Sequence, residues 1–255
     1  KRAQDAIIQM RPYANKLTEL LVNLSASLDS SEGGSFSSER DIKSVLLVTI
    51  TSNRGLCGGF NTNIIKSAVS LINDDFKAKN VSLISIGKKS SEFFKKNGYN
   101  LVNSHDDIFS DLTYDKTSLI SESIMSEFLS GSYDKVVLVY NQFINAATQK
   151  VMNENYLPVD APSDNDVVIG DYIFEPQKKK IIEELIPKSL KTQLFKAILD
   201  SHASEHGARM TSMHKATDNA SELKKDLTLS YNKARQAAIT AEILEIVGGA
   251  EALNG

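Results

Sequence analysis

Ser44-Val45-Leu46-Leu47-Val48-Thr49-Ile50, running straight into Thr51-Ser52-Asn53-Arg54-Gly55-Leu56-Cys57-Gly58-Gly59-Phe60-Asn61, decides the fold class. The first seven residues are a β-branched, apolar run without alternation, as expected of a strand covered on both faces. The glycines that follow predict a tight turn, and Asn61 to about Ile72 then carries helical spacing. The same unit recurs outward along the chain. Val81 to Gly87 reads as a strand, Lys88 to Lys96 as a helix, and residues 117 to 129 as a further helix. Lys135 to Tyr140 is another strand, and Thr148 to Leu157 is a looser partner for it. Strands alternating with helices predict an α/β unit with a mainly parallel sheet over residues 42–187.

A glycine turn between a strand and a helix is where α/β folds bind phosphates, because backbone N–H groups there point outward. This turn is neither G-x-G-x-x-G nor G-x-x-x-x-G-K-[ST]. It has no lysine to reach a phosphate and no recognisable acidic partner for a ribose. The structural reading, a tight turn that needs positive φ, is the stronger one. Cys57 within it has no evident histidine partner, which favours a small packed side chain over a reactive thiol.

Helices flank this unit. Ala3, Ile7, Met10, Ala14, Leu17, Leu21, Leu24 and Leu28 alternate in steps of four and three, the seam of a coiled coil over residues 1–30, with Pro12 as its one objection. Residues 31–41, with Gly33, Gly34 and several serines, read as a linker. Residues 188–255 follow the last proline, Pro187, and only Gly207 interrupts them before Gly248-Gly249. They are expected to form one continuous helix over 188–247, roughly 90 Å long, with two shorter helices folded back at Gly207 as the alternative. The one-helix reading predicts antiparallel packing on residues 1 to about 28. Leu190, Leu194 and Ala197, then Ser201, Ser204 and Ala208, make a seam that narrows to small residues, which let two helices approach closely. A polar band from Thr211 to Lys225 gives way to a stretch, Leu227 to Val247, that is apolar on most faces and calls for a covering partner.

Composition narrows the function classes. With 255 residues, 41% hydrophobic and 24% charged, the chain is globular in type. A net charge of −3 argues against an overall electrostatic grip on nucleic acid or anionic lipid. A single cysteine excludes an internal disulfide framework and fits a reducing compartment. The start Lys1-Arg2-Ala3, without Met or a signal-peptide core, reads as a chain whose upstream part is missing.

His202-Ala203-Ser204-Glu205-His206 matches H-x-x-E-H, the inverted zincin pattern, with two imidazoles one helical turn apart and a carboxylate beside them. No downstream acidic cluster offers a third ligand, and the Ser/Ala-rich surroundings fit close packing better than a roofed cleft. A zinc hydrolase built on His202, Glu205 and His206 is therefore the weaker alternative. His105 and His214 are isolated.

The turn from Thr51 to Asn61 resembles that of the gamma subunit of F-type ATP synthases. So do Arg11-Pro12-Tyr13-Ala14 and Asp171-Tyr172-Ile173-Phe174-Glu175-Pro176. The resemblance is stronger still in Ala208-Arg209-Met210, Ala216-Thr217-Asp218-Asn219-Ala220, Tyr231 to Thr240, and Glu245 to Ala250, which match in order. It implies a Rossmann-like α/β foot with a long antiparallel two-helix coiled coil from the N- and C-terminal helices. It further implies a rotary central stalk that couples proton flow to ATP synthesis, without catalytic residues, metal, cofactor or small-molecule substrate of its own. The implied partners are the alpha and beta subunits of the catalytic hexamer, the epsilon subunit and the membrane c-ring. The implied location is the cytoplasmic face of a bacterial inner membrane rather than the mitochondrial matrix face. Arg209, Arg235, Gln236 and Thr240 are the expected rotor–stator contacts. Tyr172, Phe174 and Glu175 are the expected contacts of the foot with the ring and epsilon. The cysteine pair of chloroplast versions is absent.

Overall fold

The computed structural model describes residues 2–26, 36, 40–159 and 178–254. Its centre is a five-stranded sheet of β1 (Ser44–Ile50), β2 (Asn80–Ile86), β3 (Leu101–Ser104), β4 (Lys135–Phe143) and β5 (Gln149–Leu157). The spatial order is β3-β2-β1-β4-β5, parallel except for β5, which runs antiparallel to β4. The remaining elements are α1 (Arg2–Ala26), α2 (Phe60–Ser70), α3 (Lys88–Lys96), α4 (Tyr114–Leu129) and α5 (Lys178–Asn254). A π-helical turn, Leu71–Asp75, ends α2, and a single 3-10 turn, Ile108–Ser110, precedes α4.

The buried central strand sorts its side chains by twos. Leu46, Val48 and Ile50 point to one face, where they pack with Ile124 and Phe128 of α4 and with Leu190, Leu194 and Ile198 of α5. Val45 and Leu47 point to the other, with Ile64 and Ala68 of α2 and Phe94 of α3. Each such leucine or isoleucine, taken fully out of water, contributes about 1.5–3 kcal/mol. Thr113 caps α4, its hydroxyl accepting from the Lys116 N–H at 3.4 Å.

Two expectations change. The terminal helix begins at Lys178, upstream of the boundary expected at 188, and takes Pro187 into its interior. It runs through Gly207 without reversing, as the one-helix reading predicts. A Cβ at Gly207 would lie 2.8 Å from the carbonyl oxygen of Ala146, so this glycine serves a close approach to the β4–β5 hairpin, not a break. Second, the seam Leu190, Leu194, Ala197, Ser201, Ser204, Ala208 is buried throughout, but Leu190 and Leu194 pack with the sheet and α4, and Ser201 and Ser204 bond to strand carbonyls of β1 and β4.

The chain divides into two units, Lys1–Met210 and Thr211–Gly255. In the first, α1 packs Ile7 with Phe143 of β4 and with Leu199 and Ala203 of α5, and Ala14 and Leu17 are buried as the seam predicts. The second is the exposed helical segment from Thr211. Among the described residues no helix is long and apolar enough to cross a membrane.

Candidate functional site

In a doubly wound sheet the ligand crevice lies beyond the strand C-termini where the connections reverse direction, here between β1 and β4. The chain's own α5 fills that place. The Ser201 hydroxyl donates to the Ile50 carbonyl at the end of β1, at 3.3 Å, and the Ser204 hydroxyl to the Asn141 carbonyl of β4, at 3.1 Å. Both serines are buried, so the small residues of the seam let the helix backbone approach the strand ends while their hydroxyls satisfy strand carbonyls.

The glycine turn is likewise closed on itself. Leu56 and Gly58 hold positive φ, 62° and 58°. The Asn61 side chain reaches back to its start, accepting from the Ser52 N–H at 2.9 Å and donating to Cys57 Sγ at 3.2 Å. Cys57 is buried, as its reading as a packed side chain anticipates. Beside the turn, Gly87 has φ +105°, and a Cβ on it would sit 2.0 Å from the Thr51 carbonyl oxygen. Thr51, Ser85 and Ser90 form a buried hydroxyl cluster there, with Thr51 Oγ1 2.8 Å from Ser90 Oγ. The polar groups at this end of the sheet are thus spent on one another.

Arg209 is drawn into the same turn. Its guanidinium donates to the carbonyls of Arg54 and Gly55 at 3.4 and 3.2 Å and pairs with Glu205 at 2.8 Å. The expected rotor–stator residue therefore clasps α5 to the glycine turn within the first unit. Glu205 being engaged, the H-x-x-E-H pattern presents its two histidines without a free carboxylate. His202 and His206 face each other, Nε2 to Nε2, at 3.3 Å, and among the described residues no group of three or more His, Cys, Asp or Glu could hold a metal. Burial first, then His206, lowers the His202 pKa below the ordinary imidazole value.

An ion pair on a buried carboxylate escaped the sequence reading. Asp200, whose side chain is fully buried, accepts from Arg11 Nη2 of α1 at 2.7 Å and from the Phe143 N–H of β4 at 3.2 Å. Arg11 also donates to the Phe143 carbonyl. Burial raises the Asp200 pKa, and Arg11 works against that rise without cancelling it. Three elements, α1, β4 and α5, meet at this one charge. The available signal was a carboxylate inside the apolar run Ala197-Ile198-Leu199-Asp200.

In the second unit Arg235, Gln236 and Thr240 are exposed, and the Thr240 hydroxyl donates to the Gln236 carbonyl one turn back, at 2.9 Å. Leu223, Leu227, Tyr231, Ile239, Ile243, Leu244 and Ile246 are exposed as well. Tyr172, Phe174 and Glu175 lie outside the described residues.

The ATP synthase family profile matches residues 1–253. The ATP synthase gamma chain of Christiangramia forsetii is 58% identical over 254 residues, covering 100% of this chain and 88% of that one. The gamma chain of Flavobacterium johnsoniae is also 58% identical, over 257 residues and 89% of its length. The chain belongs to the ATP synthase gamma chain family. As a gamma chain it is one subunit of an ATP synthase and not a catalytic one. Solved structures agree on the fold. A chain from the OSCP/F1/c-ring part of the Euglena gracilis mitochondrial ATP synthase, rotational state 3, superposes with TM-score 0.62 at 20% identity, over 98% of this chain and 93% of that one. One from the rotor of the same enzyme, rotational state 1, gives 0.59 at 18% identity, over 93% of this chain and 97% of that one. For a gamma chain, the filled crevice and closed glycine turn make the α/β unit a holder for α5 rather than a nucleotide site.

Proposed function

We infer that this gamma chain is the rotary central stalk of an F-type ATP synthase, coupling proton flow through a membrane ring to conformational change at beta-subunit catalytic sites. Its 58% identity to curated gamma chains over the whole length carries the reading. The exposed apolar side chains of the second unit support it, since such a surface calls for a protein sleeve. An asymmetric shaft biases three otherwise similar catalytic subunits only by touching each differently, because differential contact is what shifts a conformational equilibrium. In this reading α1 and α5 form an antiparallel coiled coil, residues 31–41 link it to the α/β foot, and α5 is the shaft. The partners are the alpha and beta subunits, epsilon and the c-ring, at the cytoplasmic face of a bacterial inner membrane.

Arg235 and Gln236, with Thr240 beside them, are the polar catch on the stator. A guanidinium suits a bidentate carboxylate, and Gln236 donates and accepts at once. Arg209 contributes less to that catch because it is already committed to Glu205 and the glycine turn. Tyr172, Phe174 and Glu175 serve the membrane-proximal foot. Native mass measurement of the complex purified through this chain tests the reading. A single copy bound to alpha and beta subunits is expected, and a chain that travels without them contradicts it.

A further inference from the structure

The central-stalk reading leaves the His202–His206 pair unused. The two rings lie one turn apart on α5, perpendicular at 88°, with centroids 4.6 Å apart and Nε2 atoms 3.3 Å apart. Two nitrogens bound to one tetrahedral zinc at about 2.0–2.1 Å stand roughly 3.3–3.4 Å from each other. The observed separation, held by an imidazole–imidazole hydrogen bond, matches that of two ligands of one ion. Phe109 stacks on His202 at 5.6 Å and 14°, which fixes the ring before any ligand arrives. His202 Nδ1 is buried without a hydrogen-bond partner, so Nε2 is the nitrogen that His202 can offer. The neighbouring Glu205 is held by Arg209, so the pair supplies ligands without a general base.

We propose that His202 and His206 form a two-imidazole site for a borderline transition-metal ion, Zn²⁺ or Cu²⁺, with water completing its coordination. Imidazole nitrogens suit both ions, and two ligands at i and i+4 of a formed helix bind as a chelate. The affinity is micromolar rather than tighter, for two reasons. Among the described residues no third protein ligand converges. In addition, a metal on Nε2 leaves the His202 proton on the buried, unpartnered Nδ1. A bound ion staples the turn of α5 that carries Ser204, whose hydroxyl anchors the helix on β4.

The test is calorimetric titration of Zn²⁺ into the purified chain, with Cu²⁺ broadening of the histidine side-chain NMR signals as a second readout. The wild-type chain binds a single equivalent, and Cu²⁺ broadens His202 and His206 selectively. H202Q and H206Q each weaken binding at least about tenfold, since one imidazole in place of two removes the chelate. The double variant H202Q/H206Q abolishes it, while H105Q/H214Q binds as wild type does. Circular dichroism establishes that each variant keeps its helices. Absence of saturable binding in the wild type, or unchanged binding in H202Q/H206Q, overturns the proposal.

Discussion

Replacing Arg11 with Met removes the cation from a fully buried carboxylate while keeping most of the aliphatic stem. Asp200 then has two options, to stay ionised without a counter-charge or to take up a proton. Protonation sets the ceiling. Holding a carboxyl of reference pKa about 3.9 neutral at pH 7 costs about 4 kcal/mol, and at pH 5 about 1.5 kcal/mol. The wild type already carries part of this, because its Asp200 pKa is raised. An acid whose folded pKa is raised loses stability as pH climbs from its unfolded value through its folded one. Arg11→Met pushes the folded value higher still, so the variant goes on losing stability at pH values where the wild type has stopped. The expected loss is about 2–4 kcal/mol at pH 7, shrinking near pH 5 to about 1 kcal/mol for the lost bond to the Phe143 carbonyl. Asp200→Asn alone should stay within about 1 kcal/mol of wild type at pH 7, and the double variant should recover most of the Arg11→Met loss. Urea unfolding of the purified chain at both pH values reads all four proteins. Equal losses at pH 5 and pH 7, or no recovery in the double variant, would refute the reasoning.

Gly207→Ala should destabilise the first unit by about 1–2 kcal/mol, as contact with the Ala146 backbone outweighs a helix-propensity gain of about 1 kcal/mol. Gly249→Ala, which meets nothing within 4 Å, should instead raise helicity by circular dichroism. Arg209→Ala should speed amide exchange across residues 54–60 by roughly 5–30-fold, the equivalent of about 1–2 kcal/mol for its bonds to the turn. Unchanged exchange would mean that the turn holds itself. Arg235→Ala in the assembled enzyme should lower ATP turnover markedly without affecting assembly, because breaking a buried charged bond at an interface costs on the order of 2–5 kcal/mol. Normal turnover would reduce Arg235 to a solvated surface residue.

The α/β unit was legible because its central strands, β1 and β4, are written as apolar runs rich in β-branched residues. Ser44–Ile50 is read to the residue, and Lys88–Lys96 likewise. The edge strand Leu101–Ser104 went unread, since four residues with two apolar side chains carry no period to detect. Pro187 misled because an interior helical proline is normally excluded by its missing N–H, whereas α5 accepts it near its start. The serines of α5 were read as helix-packing residues. Burial came out right and the partner wrong, since a small residue states how close a neighbour comes and not which neighbour it is. Arg209 shows the same limit for charge: the sequence marks a cation in the terminal helix, and only the fold reveals the turn carbonyls it meets.

Rotation of this chain inside its complex tests the central claim most directly. A single cysteine placed at the exposed Lys77 accepts a bead without touching the buried Cys57. With the alpha and beta subunits fixed to a surface and ATP supplied, the bead should turn in one direction, pausing at positions set by the three beta sites. A stationary bead over a complex that hydrolyses ATP at its normal rate would contradict the account.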